Sequence, residues 1–195
     1  MVLSAPPLPT RSPSPKVVTR AEFLCLADNG FLHDGHYELV QGEIIYKMQN
    51  NPHTLVVMLF TEWMLAVWGS RHIRSQAPID VSPEDNPTSL PEPDAVALSL
   101  PMQRGNLAMP VPREIELLIE VSDATLAYDK TTKMGLYTRA GIREYWVADV
   151  VGETITGHRN PVAGAYADVN QYGVADTIAS LAKPGAPVRV GDFFR

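Results

Sequence analysis

Residues 117–150 read LLIEVSDATLAYDKTTKMGLYTRAGIREYWVADV. Ile115, Leu117, Leu118, Ile119 and Val121 make residues 114–122 a nearly continuous apolar run, which is how a central strand buried on both faces reads. Residues 129–139 carry a helical pattern that stops at Ala140-Gly141, and glycine is a natural helix stop. Residues 144–150, with Tyr145, Trp146 and Val147, read as a second apolar strand. Gly152 turns the chain, and residues 153–158 are expected to pair back as a hairpin.

Upstream, Thr19-Arg20-Ala21-Glu22 is a capping box, so a short helix is expected to start near Thr19 and to end at Asn29-Gly30. Residues 37–40 and 43–46 flank Gln41-Gly42 and read as two strands around a tight turn. Asn50, Asn51 and Pro52 open a second helix, because proline suits a first turn. Leu55, Val56, Leu59, Trp63 and Val67 recur at helical spacing up to Trp68, and Gly69 stops the helix. Residues 74–81 and 94–99 look strand-like, and the segment to Phe194 holds at least two weak strands. The expectation is one domain of α/β (α+β) class around a central mixed β-sheet flanked by helices.

The chain has 195 residues, 45% of them hydrophobic and 19% charged, with a formal net charge of -6. That charge argues against a protein that coats nucleic acid by electrostatics alone, since such binding neutralises phosphates with Lys and Arg. It leaves room for an enzyme with an acidic metal site and a local basic rim. A single cysteine, Cys25, excludes an intramolecular disulfide framework and a cysteine zinc cluster. Its neighbours Phe23, Leu24 and Leu26 predict a buried thiol. Residues 1–18 form a Pro/Ser-rich tail, expected to be disordered, with no signal-peptide pattern. No apolar run is long enough to span a membrane, and a cytoplasmic protein is expected.

Four residues carry the chemistry. Asp94 follows Pro93 at the start of a strand, Glu120 sits near the end of the apolar strand, and Asp129 and Lys133 lie on the helix that follows. Neighbouring strands would bring the Asp94 and Glu120 carboxylates to one sheet edge. Phosphodiester hydrolysis needs charge neutralisation at phosphorus and an activated water. A hard divalent ion supplies both, and Mg²⁺ takes one or two carboxylates plus waters and substrate oxygens. The carbonyl of Val121 is a candidate third ligand, and Lys133 a candidate to orient water and stabilise transition-state charge. Each residue also has a plainer reading. Asp94 suits a turn, and Asp129 and Lys133, four apart, suit a surface ion pair. Glu120 resists one, because a carboxylate among apolar neighbours is rarely kept without a partner or metal. His33, His36, His72 and His158 lack metal-ligand spacing.

The segment LLIEVSDATLAYDKTTKMGLYTRAGIREYWVADV, together with YELVQGEII, NPHT and PEPDAVAL, resembles the Uma2 (DUF820) family of the PD-(D/E)XK nuclease superfamily. The resemblance covers residues 19–195. It implies a restriction-endonuclease-like fold with an αβββαβ core, and Asp94 and Glu120 as metal-binding acids. In the superfamily's E-x-K pattern the lysine stands two residues after the acid. Here Ser122 holds that place, and Lys133 looks like its migrated replacement. The resemblance adds Glu38 to the site, Gln76 as a polar residue near the active strand, and His53 as a helix-start residue facing the cleft. It implies a Mg²⁺-dependent endodeoxyribonuclease, with Mn²⁺ as an alternative ion, acting on DNA; a homodimer is expected, and the apolar helix with Trp63 and Trp68, read as core or dimer interface, offers a surface for it. RNA is not separated from DNA by any residue. The rival expectation is a nuclease-fold module that binds or regulates without useful turnover.

Overall fold

The computed structural model describes residues 14–33, 35–105 and 108–195. Residues 1–13 of the expected tail lie outside the described residues. Among the described ones, the N–H of Val18 already donates to the Gly42 carbonyl at 2.9 Å.

Helix α1 (Arg20–Asp28) starts at the expected capping box, with Thr19 and Glu22 bonding reciprocally. Strands β1 (His36–Val40) and β2 (Glu43–Lys47) pair antiparallel. Their two-residue turn has positive φ at both Gln41 (51°) and Gly42 (82°), the backbone that matches the twist of a hairpin. Helix α2 (Asn51–Trp68) is capped by Asn50, whose side chain accepts from the His53 N–H at 3.0 Å, and it stops at Gly69 with φ 83°.

Strands β3 (Ile73–Ser75), β4 (Ala95–Leu98) and β5 (Ile115–Ser122) follow. A helical crossover comes next, made of α3 (Leu126–Tyr128), a π-turn at Asp129–Lys133 and α4 (Met134–Arg139). Strands β6 (Glu144–Asp149), β7 (Thr154–Val162) and β8 (Ala165–Tyr172) complete a six-stranded sheet in the order β3-β4-β5-β6-β7-β8. Only β5 and β6 run parallel, as they must, because the helical crossover between them returns the chain to the same end. A small pair, β9 (Thr177–Ile178) and β10 (Val188–Arg189), precedes the C-terminus.

From Leu117 onward the alternation of β5 splits the core in two, while a register shift at its start puts Ile115 on the crossover side. Leu117, Ile119 and Val121 face α2 with Val56, Phe60 and Met64. Leu118 faces the crossover with Leu136, Tyr137, Tyr145 and Val147. Glu120 has the parity of Leu118, so it points toward the crossover. Phe193 seals the α2 side by stacking on Phe60 with ring centroids 3.8 Å apart. Buried Glu144 fastens this C-terminal segment through Ser180 Oγ (2.7 Å), the Leu181 N–H (2.7 Å) and Arg159 (2.8 Å). Burying each large apolar side chain stabilises by about 1.5–3 kcal/mol.

Four expectations change. Cys25 is exposed, because Phe23 alone in α1 is buried. The strand expected over 74–81 is only Ile73–Ser75, since Gln76 turns away with φ 48° and its N–H caps the carbonyls of Pro93 and Asp94. The helix expected from residue 129 begins at Leu126 and contains a π-turn. The tryptophan face of α2, on which the expected dimer rested, is internal: Trp63 stacks on Trp146 at 5.6 Å, and Trp68 Nε1 donates to Glu116 at 2.7 Å.

Candidate active site

The site forms where β4 and β5 meet the N-terminus of α2. Ala95 pairs with Ile119, so Asp94 and Glu120 are the next residues outward in that register. Both are almost wholly buried, at 1% and 2% exposure. They line one cavity of about 420 Å³ with Glu38, Lys47, His53, Val121, Asp129 and Lys133.

Asp94 is held on three sides. Its Oδ2 accepts from the Val121 N–H at 2.8 Å and lies 3.3 Å from His53 Nε2, while Oδ1 receives Lys47 Nζ at 3.1 Å. Burial pushes this carboxyl up, but the His53 hydrogen bond and the positive charge of Lys47 outweigh it and hold Asp94 well below the usual range. The Val121 N–H that reaches Asp94 also fixes the direction of its carbonyl. In a strand the N–H and C=O of one residue point to the same edge, and Ser122, one residue on, turns its carbonyl the other way to the Val150 N–H at 2.9 Å.

Glu120 behaves oppositely. Its Oε1 accepts from Lys133 Nζ at 2.9 Å and from the Tyr137 hydroxyl at 2.6 Å. Burial dominates over the attraction of Lys133 and Lys47 and drives its carboxyl up to about 8. Lys133 also contacts Glu38 Oε1 at 2.8 Å, and Glu38 Oε2 accepts from the Glu92 N–H at 3.1 Å. Burial lowers the Lys133 ammonium, yet Glu120 and Glu38 more than compensate and hold it well above its ordinary value.

The surface ion pair considered for Asp129 and Lys133 is not formed. Asp129 Oδ2 instead accepts from the Ser122 hydroxyl at 2.7 Å and the Thr125 hydroxyl at 2.6 Å. Ser122, in the slot where a lysine would complete E-x-K, therefore pins the crossover that delivers Lys133. Gln76 stands apart: it lines a second groove along α2 beside Ser75 and Leu55. Lys47 is a residue of the cavity that the sequence reading did not single out, and Tyr137, read from the sequence as a packing residue or a base-stacking one, instead donates to Glu120. Lys47 was reachable by parity. Glu38 pairs with Ile45, so Lys47, two residues on, presents to the face that carries Glu38.

Comparison with known proteins fits this arrangement. The Uma2 family, described as "Putative restriction endonuclease", matches residues 20–187. The chain belongs to the Uma2 family. A crystal structure of "a putative nuclease belonging to DUF820" from Anabaena variabilis ATCC 29413 superposes with a TM-score of 0.69. It is 16% identical, and the match covers 91% of this chain and 97% of that one. At that identity the likeness establishes the fold, a nuclease-like mixed sheet with helices. No curated protein matches. The Uma2 signature covers all the acids of the cavity, from Glu38 to Asp129. No helix among the described residues is long and apolar enough to cross a membrane.

Proposed function

We propose that this Uma2 chain is a divalent-metal-dependent phosphodiesterase that cuts DNA. The observation that carries the reading is the charge of one cavity. Glu38, Asp94, Glu120, Asp123 and Asp129 line it against only two lysines, Lys47 and Lys133. A protonated Glu120 still leaves an excess of two negative charges, which one divalent cation cancels.

The donor set suits a small hard ion. Among the described residues no cluster of three or more His, Cys, Asp or Glu side chains is arranged to hold a metal unaided. Asp94, Glu120 and the Val121 carbonyl are all oxygen donors, and Mg²⁺ takes few protein ligands while keeping several waters. Mn²⁺ accepts the same set. When bound, such an ion supplies charge neutralisation at phosphorus and activation of water.

The chain's own residues do the rest. An ammonium has three donors, and Lys133 uses two on Glu38 and Glu120. The third remains for the attacking water or a phosphate oxygen. Glu38 keeps Lys133 charged and fixed, and its Glu92 contact ties that pair to the loop before Asp94. Hydrolysis adds the water oxygen to phosphorus, breaks one P–O ester bond, and moves a proton from the water to the departing oxygen.

Incubation of supercoiled plasmid with Mg²⁺ or Mn²⁺ tests the reading, with RNA and single-stranded DNA in parallel. Nicked or linear plasmid is expected from wild type and at least 10²-fold less from Asp94→Asn. Equal cleavage by both proteins would remove Asp94 from the reaction. Cleavage of RNA alone would replace the substrate, and metal binding without cleavage would favour a binding or regulatory module.

A further inference from the structure

The two lysines of the cavity are held differently. Lys133 is 3% exposed and bridges two carboxylates. Lys47 is 12% exposed at the end of β2, and among the described residues its carboxylate contact is Asp94, at 3.1 Å. Its other contact is the main-chain carbonyl of Glu92 at 2.7 Å. Two of its three donors are thus used, and the third is free on a flexible four-carbon stem. Lys133 is fastened from behind by two direct carboxylate contacts; Lys47 touches Asp94 and feels the charge of Glu120 and Glu38 through space.

That acid is the one expected to meet the metal. A divalent ion bonds carboxylate oxygen at about 2.1 Å, and an ammonium on the same Asp94 carboxylate would repel it. A divalent ion held by Asp94 would compete with Lys47 for that carboxylate and would weaken the hold on its ammonium. Its carboxylate partner is then taken, and the new anion arriving in the cavity is the substrate phosphate.

We propose that Lys47 is a second catalytic cation of this site: it neutralises Asp94 while the metal is away and passes to a non-bridging oxygen of the phosphodiester when the metal takes Asp94. The inference rests on the phosphodiesterase reading given above. It differs from the role of a staple between β2 and the loop before Asp94, because a staple makes no opposite demands on metal binding and turnover. Removal of a resting counter-ion tightens the metal while removal of a phosphate contact slows the reaction.

Calorimetric titration of Mn²⁺ into wild type, Lys47→Met and Lys47→Gln separates these roles, with cleavage of plasmid DNA measured at saturating Mn²⁺. The glutamine keeps a donor for the Glu92 carbonyl, so one of the two variants serves if the other fails to fold. The expected result is Mn²⁺ bound about tenfold tighter than in wild type and kcat lowered on the order of 10²-fold. Unchanged or weaker Mn²⁺ affinity, or an unchanged kcat, overturns the role of Lys47. Absence of Mn²⁺ binding to wild type overturns the phosphodiesterase reading itself, so the two failures are distinct.

Discussion

Two acids in adjacent register titrate in opposite directions. Asp94 is buried, but a hydrogen bond from His53 and the charge of Lys47 keep it ionised. Glu120 is as deeply buried, and desolvation lifts it to about 8. A carboxyl raised in the fold above its ordinary 4.5 binds its proton more tightly when folded. Its contribution to stability is full below about 4.5 and is lost as pH rises through about 8. The melting temperature is therefore expected to fall between about pH 4.5 and 8, and Glu120→Gln, which mimics the protonated acid, is expected to flatten that fall. An identical pH profile in the variant would contradict the assignment. Glu120 was legible in the sequence because an acid amid Leu118, Ile119 and Val121 has no cheap explanation. Lys47 shares the parity of Glu38 across the hairpin but was passed over, because a lysine ending a short strand reads as solvated.

Two elements assemble the site from distant sequence. The β1–β2 hairpin carries Glu38 and Lys47, and the crossover carries Asp129 and Lys133. The hairpin was legible through Gln41-Gly42, and the helix caps through Thr19 and Asn50. The π-turn was not, because a period of 3.6 residues cannot reveal an i→i+5 turn, a form concentrated at functional sites. That turn sends Asp129 to Ser122 and Thr125 and leaves Lys133 to Glu38 and Glu120. The hairpin depends on Gly42, whose φ is 82° and where an added Cβ would run into Val17 Cγ1. Gly42→Ala is expected to cost about 1–2 kcal/mol through the backbone alone. For a chain of this size that lowers the melting temperature by about 2–8 °C, and turnover should drop as Glu38 and Lys47 shift. A variant with wild-type melting and turnover would show that the hairpin does not position the site.

At the scale of the whole molecule, the sheet is closed on one face by α2 and Phe193 and on the other by the crossover, and the acidic cavity opens where they meet. The alternation of β5 from Leu117 made this division legible, with odd-numbered residues on α2 and even-numbered ones on the crossover. The tail of the chain, from β8 onward, was read only as weak strands, since its core residues Ile178, Val190 and Phe193 are widely spaced and its pairs β9 and β10 are two residues each. An ion bound by the folded state alone stabilises the entire domain. Thermal melting with and without Mn²⁺, on wild type and Asp94→Asn, tests the central claim of a metal site most directly. With Mn²⁺ at about a hundred times its Kd, wild type is expected to gain about 2.7 kcal/mol, or about 5–10 °C, while Asp94→Asn gains almost nothing. An equal gain in both proteins, or none in either, would contradict a metal centre at Asp94 and Glu120.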